Sequence, residues 1–211
     1  TLVSQPVDII FVIDNSGSMQ AEIEEVEVQI NTNFASIIDA AMPPVDYRVI
    51  MLSDFGASAD RDICVAAPLG GIPDADMDGH CDTIPAQPVN TAKFFHHSAS
   101  IGSHDALCKF VTNFAAADEY NLQPTGFGSV LRDNAFKFVV VITDDGVGCS
   151  SYSDGNNVAN GDAVAAQWDA DVQAMSPVHF GTDAMNRRYS FWSIVALACP
   201  RRCRSRESSP A

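Results

Sequence analysis

The feature that most constrains the fold is an unbroken apolar run, Ile9 to Ile13, that stops abruptly at Asp14. The run is rich in β-branched residues and shows no polar alternation, which is typical of a parallel strand buried on both faces. The residues after it, Asn-Ser-Gly-Ser, are small and polar. The sequence therefore predicts a central strand with a cluster of oxygen atoms at its carboxyl end.

Further apolar stretches alternate with segments of helical periodicity along the rest of the chain. Strands are predicted from the apolar stretches at 9–13, 47–52, 94–101, 136–143 and 189–197, and helices at 21–42, 104–117, 126–134 and 162–175. This alternation predicts an α/β, doubly wound, mostly parallel sheet flanked by helices. Ligands of such folds bind beyond the carboxyl ends of the strands, near the switch in strand order.

Oxygen-bearing side chains recur where predicted strands or loops end. Asp14, Ser16 and Ser18 stand at alternate positions, Thr125 precedes a predicted helix, and Asp144 follows the strand that ends in Thr143. Carboxylate and hydroxyl oxygens are the ligands preferred by a hard divalent cation. The alternative for the first loop is a simple strand-to-helix turn with Ser18 as an N-cap.

These three segments resemble, in their order, the metal-ion-dependent adhesion site of the von Willebrand factor type A family. The resemblance covers residues 6–53 and 92–198. It implies that Asp14, Ser16, Ser18, Thr125 and Asp144 hold Mg²⁺, or Mn²⁺ or Ca²⁺ in its place. It also implies that a protein partner completes the coordination with an acidic side chain.

Two neighbours of the predicted ligands, Asn15 and Asp145, are expected to contact the bound partner. Asp145 stands where the family often has Gly, so it either adds a water-mediated ligand or lies in solvent. The family also has a sixth strand and a last helix. Nothing after Leu197 has the pattern of either, so this C-terminal strand and helix are expected to be missing. The fifth strand would then have an exposed edge, through which the chain could self-associate.

Residues 54–92 show no lasting period and are interpreted as an insertion within a domain spanning 1–200. Inside it, Asp74, Asp76, Asp78, Gly79 and Asp82 follow the start of an EF-hand calcium loop. Position 12 of that loop is a proline rather than a glutamate. The segment therefore resembles the calcium loops of thrombospondin type 3 repeats. With this insertion, the whole chain resembles a bacterial-type member of the von Willebrand factor type A family. A solvated acidic turn is the alternative to a Ca²⁺ site.

The six cysteines are even in number and lack the paired Cys-x-x-Cys spacing of structural zinc sites. They are Cys64, Cys81, Cys108, Cys149, Cys199 and Cys203. Such a set predicts disulfides and an extracellular, periplasmic or cell-surface location. Pairing of Cys64 with Cys81 is the first expectation and pairing of Cys149 with Cys199 the second, although sequence alone leaves other pairings open.

The net charge of −15 is unevenly distributed. Residues 1–186 contain 6 basic and 26 acidic side chains, giving −20, whereas residues 187–211 contain 6 basic and 1 acidic, giving +5. An acidic body disfavours nucleic acid and anionic membrane surfaces and favours cations. No apolar run is long enough to predict a transmembrane segment. The basic tail at 201–211 is expected to be disordered.

Three classes of function fit these features to different degrees. The first is a divalent-metal-dependent protein-binding or adhesion module. The second is a structural subunit of a surface fibre, stabilised by calcium and disulfides. The third is a metal-assisted hydrolase, but the chain has neither a Gly-x-x-x-x-Gly-Lys loop nor a Gly-x-Ser-x-Gly elbow. A binding module rather than an enzyme is therefore expected.

Overall fold

A computed structural model describes residues 5–41, 44–55, 62–155 and 158–195. Its strands are β1 (Val7–Ile13), β2 (Tyr47–Ser53), β3 (Phe94–Ser98), β4 (Phe136–Thr143) and β5 (Tyr189–Val195). Its α-helices are α1 (Gln20–Val28), α2 (Ala35–Asp39), α3 (Ala106–Asn113), α4 (Val158–Met175) and α5 (Pro177–Phe180). The five strands form one parallel sheet in the order β3-β2-β1-β4-β5, which confirms the α/β doubly wound fold.

Both faces of the central strands are covered by apolar side chains from helices or from the insertion. On one face Ile10 and Val139 share a core with Phe110 of α3 and Trp168 of α4. On the other face Phe11, Ile13 and Met51 pack with α1 and with the insertion residues Ile63 and Val65. Burial on both faces explains why the central strands are apolar without alternation.

The strand order reverses at β1, which has β2 on one side and β4 on the other. β1 and β4 pair in register up to Ile13 and Ile142, and the Asp14 amide then donates to the Ile142 carbonyl at 3.0 Å. The two strands therefore end side by side. This brings the loops after Ile13 and Thr143 together at the position where doubly wound folds bind ligands.

The first predicted helix is divided by a π-helical turn, Gln29–Phe34, that separates α1 from α2. One extra residue in a helical turn rotates the side chains that follow by about 100°. Ile37 was expected to face the core and is instead 70% exposed.

The helix predicted at 126–134 is also wrong. Only a short 3₁₀ turn, Phe127–Val130, forms there. The next segment instead carries Arg132, whose side chain reaches the buried Asp8 at 2.7 Å.

Two disulfides link described cysteines. Cys64 bonds to Cys81, as predicted. Cys149 bonds to Cys108 and not to Cys199, so that prediction is wrong. The reason is that the loop after β4 folds back over the first turn of α3, where the Gly148 amide donates to the His104 carbonyl at 3.0 Å. Cys199, Cys203 and the tail at 201–211 lie outside the described residues.

Within the described ranges, no helix combines the length and the apolar character needed to cross a membrane.

Candidate metal centre

Asp14 is the fixed point of the site at the carboxyl end of β1. It has no exposed surface, and both of its carboxylate oxygens are engaged. Oδ1 accepts the Ser16 amide at 2.7 Å, and Oδ2 accepts the Thr143 hydroxyl at 2.8 Å. Thr143 is the last residue of β4, so the pairing of the two strands sets the position of the carboxylate.

The hydroxyls of Ser16 and Ser18 lie further out, towards solvent. Their Oγ atoms are 3.1 Å apart, and Ser18 Oγ donates to Asp144 Oδ1 at 3.2 Å. Ser16, Ser18 and Asp144 are therefore linked through their side-chain oxygens, and Asp14 joins them through the Ser16 amide. They come from two loops that are 126 residues apart at the Ser18–Asp144 contact.

Asn15 was predicted to contact a ligand, but its side-chain oxygen accepts the Asp54 amide at 2.7 Å. Its own amide donates to the Ile101 carbonyl at 2.9 Å, and the residue is 7% exposed. Asn15 thus ties the loop after β1 to those after β2 and β3. Asp145, by contrast, is partly exposed, and its backbone amide donates to Thr143 Oγ1 at 3.1 Å.

Thr125 is not brought to the other four residues. Its neighbour Gly126 has a φ of +86°, and a Cβ added there would lie 2.1 Å from the Phe114 carbonyl oxygen. Phe114 follows the last residue of α3, whereas His104 precedes the first and adjoins the site. Eight helical residues span about 12 Å. The Thr125 loop therefore lies at the far end of α3.

The loop that does reach the site from this side is 99–105, which joins β3 to α3. Its Ile101 carbonyl accepts the Asn15 amide at 2.9 Å, and His104 Nδ1 lies 3.3 Å from the Gly146 carbonyl oxygen. The sequence did carry a signal, because Ser100 and Ser103 stand between a strand and a helix with a clear apolar stripe. The family resemblance instead pointed to Thr125, partly because a helix was wrongly predicted after it.

A groove of about 930 Å³ begins at the site and runs between α4 and β5. Ser103, Thr143, Asp144 and Asp145 line its polar end. Its apolar walls include Leu107, Val141, Val164, Trp168 and Phe191. Asp144 thus belongs both to the oxygen network and to the groove wall, so a molecule that touches the network also meets an apolar surface.

The acidic loop of the insertion forms a second oxygen cluster. Ligand atoms of Asp74, Asp76 and Asp78 all lie within 4.8 Å of one another. The Gly79 amide donates to Asp74 Oδ2 at 3.1 Å, while Asp74 Oδ1 is buried and has no hydrogen-bond partner among the described residues. Asp82 Oδ2 accepts the Ala75 amide at 3.0 Å, so it closes the loop. Asp76 and Asp78 are exposed.

Two buried polar residues attach this insertion to the first helical segment. Asn31, in the π-helical turn, donates to the carbonyls of Cys64 and Gly79 at 3.0 and 2.8 Å. Glu27 accepts the Cys64 amide at 2.9 Å and contacts His80 Nδ1 at 3.0 Å. Burial raises the pKa of Glu27 above its ordinary value, and the hydrogen bond to Glu27 raises the pKa of His80.

Comparisons of the chain with models of known protein families and with curated proteins found no match.

Proposed function

We propose that this chain is a divalent-cation-dependent protein-binding module of the von Willebrand factor type A kind, acting at a cell surface or in an extracellular or periplasmic space. The observation that carries the proposal is the Ser18–Asp144 hydrogen bond, which joins two distant loops beside the buried Asp14. The two disulfides are consistent with an oxidising location.

The donor set of this network fits a hard cation. Asp14 and Asp144 supply two carboxylates that balance a double positive charge, and Ser16 and Ser18 supply neutral hydroxyl oxygens. Mg²⁺ is the ion we propose, with Mn²⁺ or Ca²⁺ as substitutes. Ser103, which lines the polar end of the groove, replaces Thr125 as the candidate from a third loop. When bound, the cation offers a position that a carboxylate oxygen of a protein partner can fill.

The same contacts favour binding over hydrolysis. Ser16 and Ser18 contact each other and a carboxylate, not an imidazole that could remove a proton. The nearby His104 ring lies against the Gly146 carbonyl. An activated serine needs a base within hydrogen-bonding distance, and these contacts support a role of the two hydroxyls as cation ligands instead.

We propose a separate Ca²⁺ site in the insertion, at Asp74, Asp76 and Asp78, with Asp82 closing the loop. Two observations support it: the convergence of three carboxylates and the buried, unpaired Asp74 Oδ1. Like charges at this spacing repel one another unless a cation lies among them. The Cys64–Cys81 bond flanks the same loop, which also favours the second candidate function, a structural subunit stabilised by calcium and disulfides.

Titration calorimetry with Mg²⁺ and Ca²⁺ tests both sites on the wild-type chain and three variants. Asp144→Asn should lose the Mg²⁺ site and keep Ca²⁺ binding, whereas the double change Asp76→Asn and Asp78→Asn should do the reverse. Asp162→Asn, at an exposed position on α4, is the matched control and should change neither. Unaltered Mg²⁺ binding by Asp144→Asn would refute the proposed centre.

The adhesion role needs a separate experiment on partners from the native surface. Capture on the immobilised chain should be reversed by chelator, restored by Mg²⁺ and lost in Asp144→Asn. A partner that is captured equally in chelator and in Mg²⁺ would contradict the adhesion role. Metal binding without any such partner would favour the structural subunit.

A further inference from the structure

The two edges of the sheet differ sharply in how they are covered. On β3, four of five residues are buried, and the His96 amide donates outward to the Asn90 side chain at 2.9 Å. On β5, the last five residues are all exposed. Within the described chain β5 pairs only with β4, so its other edge carries free amide and carbonyl groups. An open, apolar edge of this kind favours pairing with another strand.

The large exposed side chains of β5 are apolar on both faces of the sheet, and the small Ser193 lies between them. Phe191 and Val195, 41% and 42% exposed, lie on the face that carries the groove. Trp192 and Ile194, both 60% exposed, lie on the opposite face beside Val140 and Ile142 of β4. A strand added at this edge would therefore need apolar side chains on both of its faces.

From this pattern we infer that the occupant of the edge is β5 of a second copy of this chain, paired antiparallel about Ser193. The order Phe-Trp-Ser-Ile-Val is symmetric in character about its small central residue. Antiparallel pairing centred on Ser193 places Phe191 opposite Val195 and Trp192 opposite Ile194, each pair occurring twice. Aromatic residues opposite β-branched residues are favourable cross-strand pairs. The result is a two-fold dimer with a continuous ten-stranded sheet, made from two sheets of five strands.

Burial of Trp192 in this dimer leaves no indole donor unsatisfied. Its Nε1 already donates to Ser190 Oγ within the same strand, at 3.2 Å. The groove lies next to the proposed dimer contact, because Phe191 also contacts the Trp168 ring with the centroids 5.1 Å apart. The pairing therefore extends an existing aromatic cluster of Trp168, Tyr189 and Phe191 rather than disrupting it.

The dimer should be weak and concentration-dependent. An aromatic side chain offers 150–250 Å², so the exposed parts of Phe191 and Trp192 leave roughly 200 Å² per copy. Ile194, Val195 and the strand backbone add to this, but a standard interface buries about 800 Å² per partner. The net charge of −15 on each copy also opposes association until salt screens it.

Sedimentation velocity of the full chain from about 1 to about 100 µM, a range suited to weak association, tests the inference. The wild type should shift from monomer to dimer, and Ile194→Lys should stay monomeric because it places a charge opposite Trp192. The matched control is Ile37→Lys, the same change at a 70% exposed isoleucine of α2, which should dimerise like the wild type. A dimer unaffected by Ile194→Lys would overturn the pairing.

Quenching of tryptophan fluorescence by acrylamide identifies the occupant. The chain has two tryptophans, and Trp168 is 3% exposed, so Trp192 dominates the accessible signal. Quenching should be strong at low concentration and fall as the dimer forms. A monomer with Trp192 already protected would mean that residues 196–211 of the same chain cover the edge. A monomer in which Trp192 stays accessible at every concentration would mean that a different protein, rather than a second copy, pairs with this edge. Either result overturns the proposal.

Discussion

The Asp14→Asn variant should melt at a higher temperature than the wild type in chelator and at a lower temperature than the wild type in Mg²⁺. The side chain is fully buried, and its carboxylate is held by the Ser16 amide and the Thr143 hydroxyl. Asn has the same shape, and its oxygen can still accept the Ser16 amide. The hydroxyl of Thr143 can rotate to accept from the new amide group. The substitution therefore removes a charge and leaves the local packing in place.

In chelator the variant should be the more stable protein. A buried ion costs several kcal/mol of desolvation, and hydrogen bonds to a charged group return about 1.5–3 kcal/mol each. Two such bonds to Asp14 return about 3–6 kcal/mol, and we take the uncompensated part of the desolvation cost as about 1 kcal/mol. Its removal should raise Tm by about 2–4 °C in a chain of this size.

In Mg²⁺ the order should reverse. At a free concentration one hundred times Kd, a bound ion stabilises the wild type by about 2.7 kcal/mol, which corresponds to roughly 5–11 °C. The variant lacks the buried charge that holds the ion and should gain almost nothing. Differential scanning calorimetry in chelator and in Mg²⁺ measures both effects, with Asp162→Asn as the exposed control. If Asp14→Asn gains as much from Mg²⁺ as the wild type does, Asp14 is not a ligand.

Other predictions concern the insertion, the disulfides and pH. The double change Asp76→Asn and Asp78→Asn should abolish the Ca²⁺-dependent protection of residues 62–82 from hydrogen exchange while β1 and β4 stay protected; protection lost throughout would mean that the loop supports the whole fold. Alkylation without reductant should leave Cys64, Cys81, Cys108 and Cys149 unmodified by intact mass, and a mass showing all six modified would contradict both bonds. The pKa values of His80 and Glu27 are both raised, so both contributions to stability are lost as pH rises. The contribution of His80 to stability is complete below the ordinary histidine pKa of 6.5 and is lost as pH rises through the raised pKa of His80. The melting temperature should therefore fall over this pH range in the wild type but not in His80→Gln. An identical pH profile for the two proteins would show that protonation of His80 does not help to attach the insertion.

Much of the fold could be predicted from the sequence because its strands are buried on both faces. β4 matches the predicted range 136–143, β2 agrees to within one residue, and β1 begins two residues before the predicted run. The helices were less predictable. Burial of Ile37 was wrongly predicted because nothing in its spacing reveals the π-helical turn before it. That turn places Asn31 where it can bond the Cys64 and Gly79 carbonyls, and these partners are 33 and 48 residues away.

Some positions of the site follow from the strand order and were predictable, whereas others depend on how the loops pack and were not. Asp14 and Asp144 directly follow adjacent parallel strands, so the two loops that carry them lie side by side because of the strand order alone. A third loop has no such constraint, because its path depends on where a helix begins. Gly126 and Phe127 pack against Phe114 and hold the Thr125 loop at the far end of α3. The start of α3 instead places loop 99–105 beside Asn15. A hydroxyl ligand from a third loop should therefore be sought at Ser103, and Ser103→Ala should weaken Mg²⁺ binding in calorimetry while Thr125→Ala leaves it unchanged. The opposite result would mean that the loop after α3 moves by about the length of that helix when the ion binds.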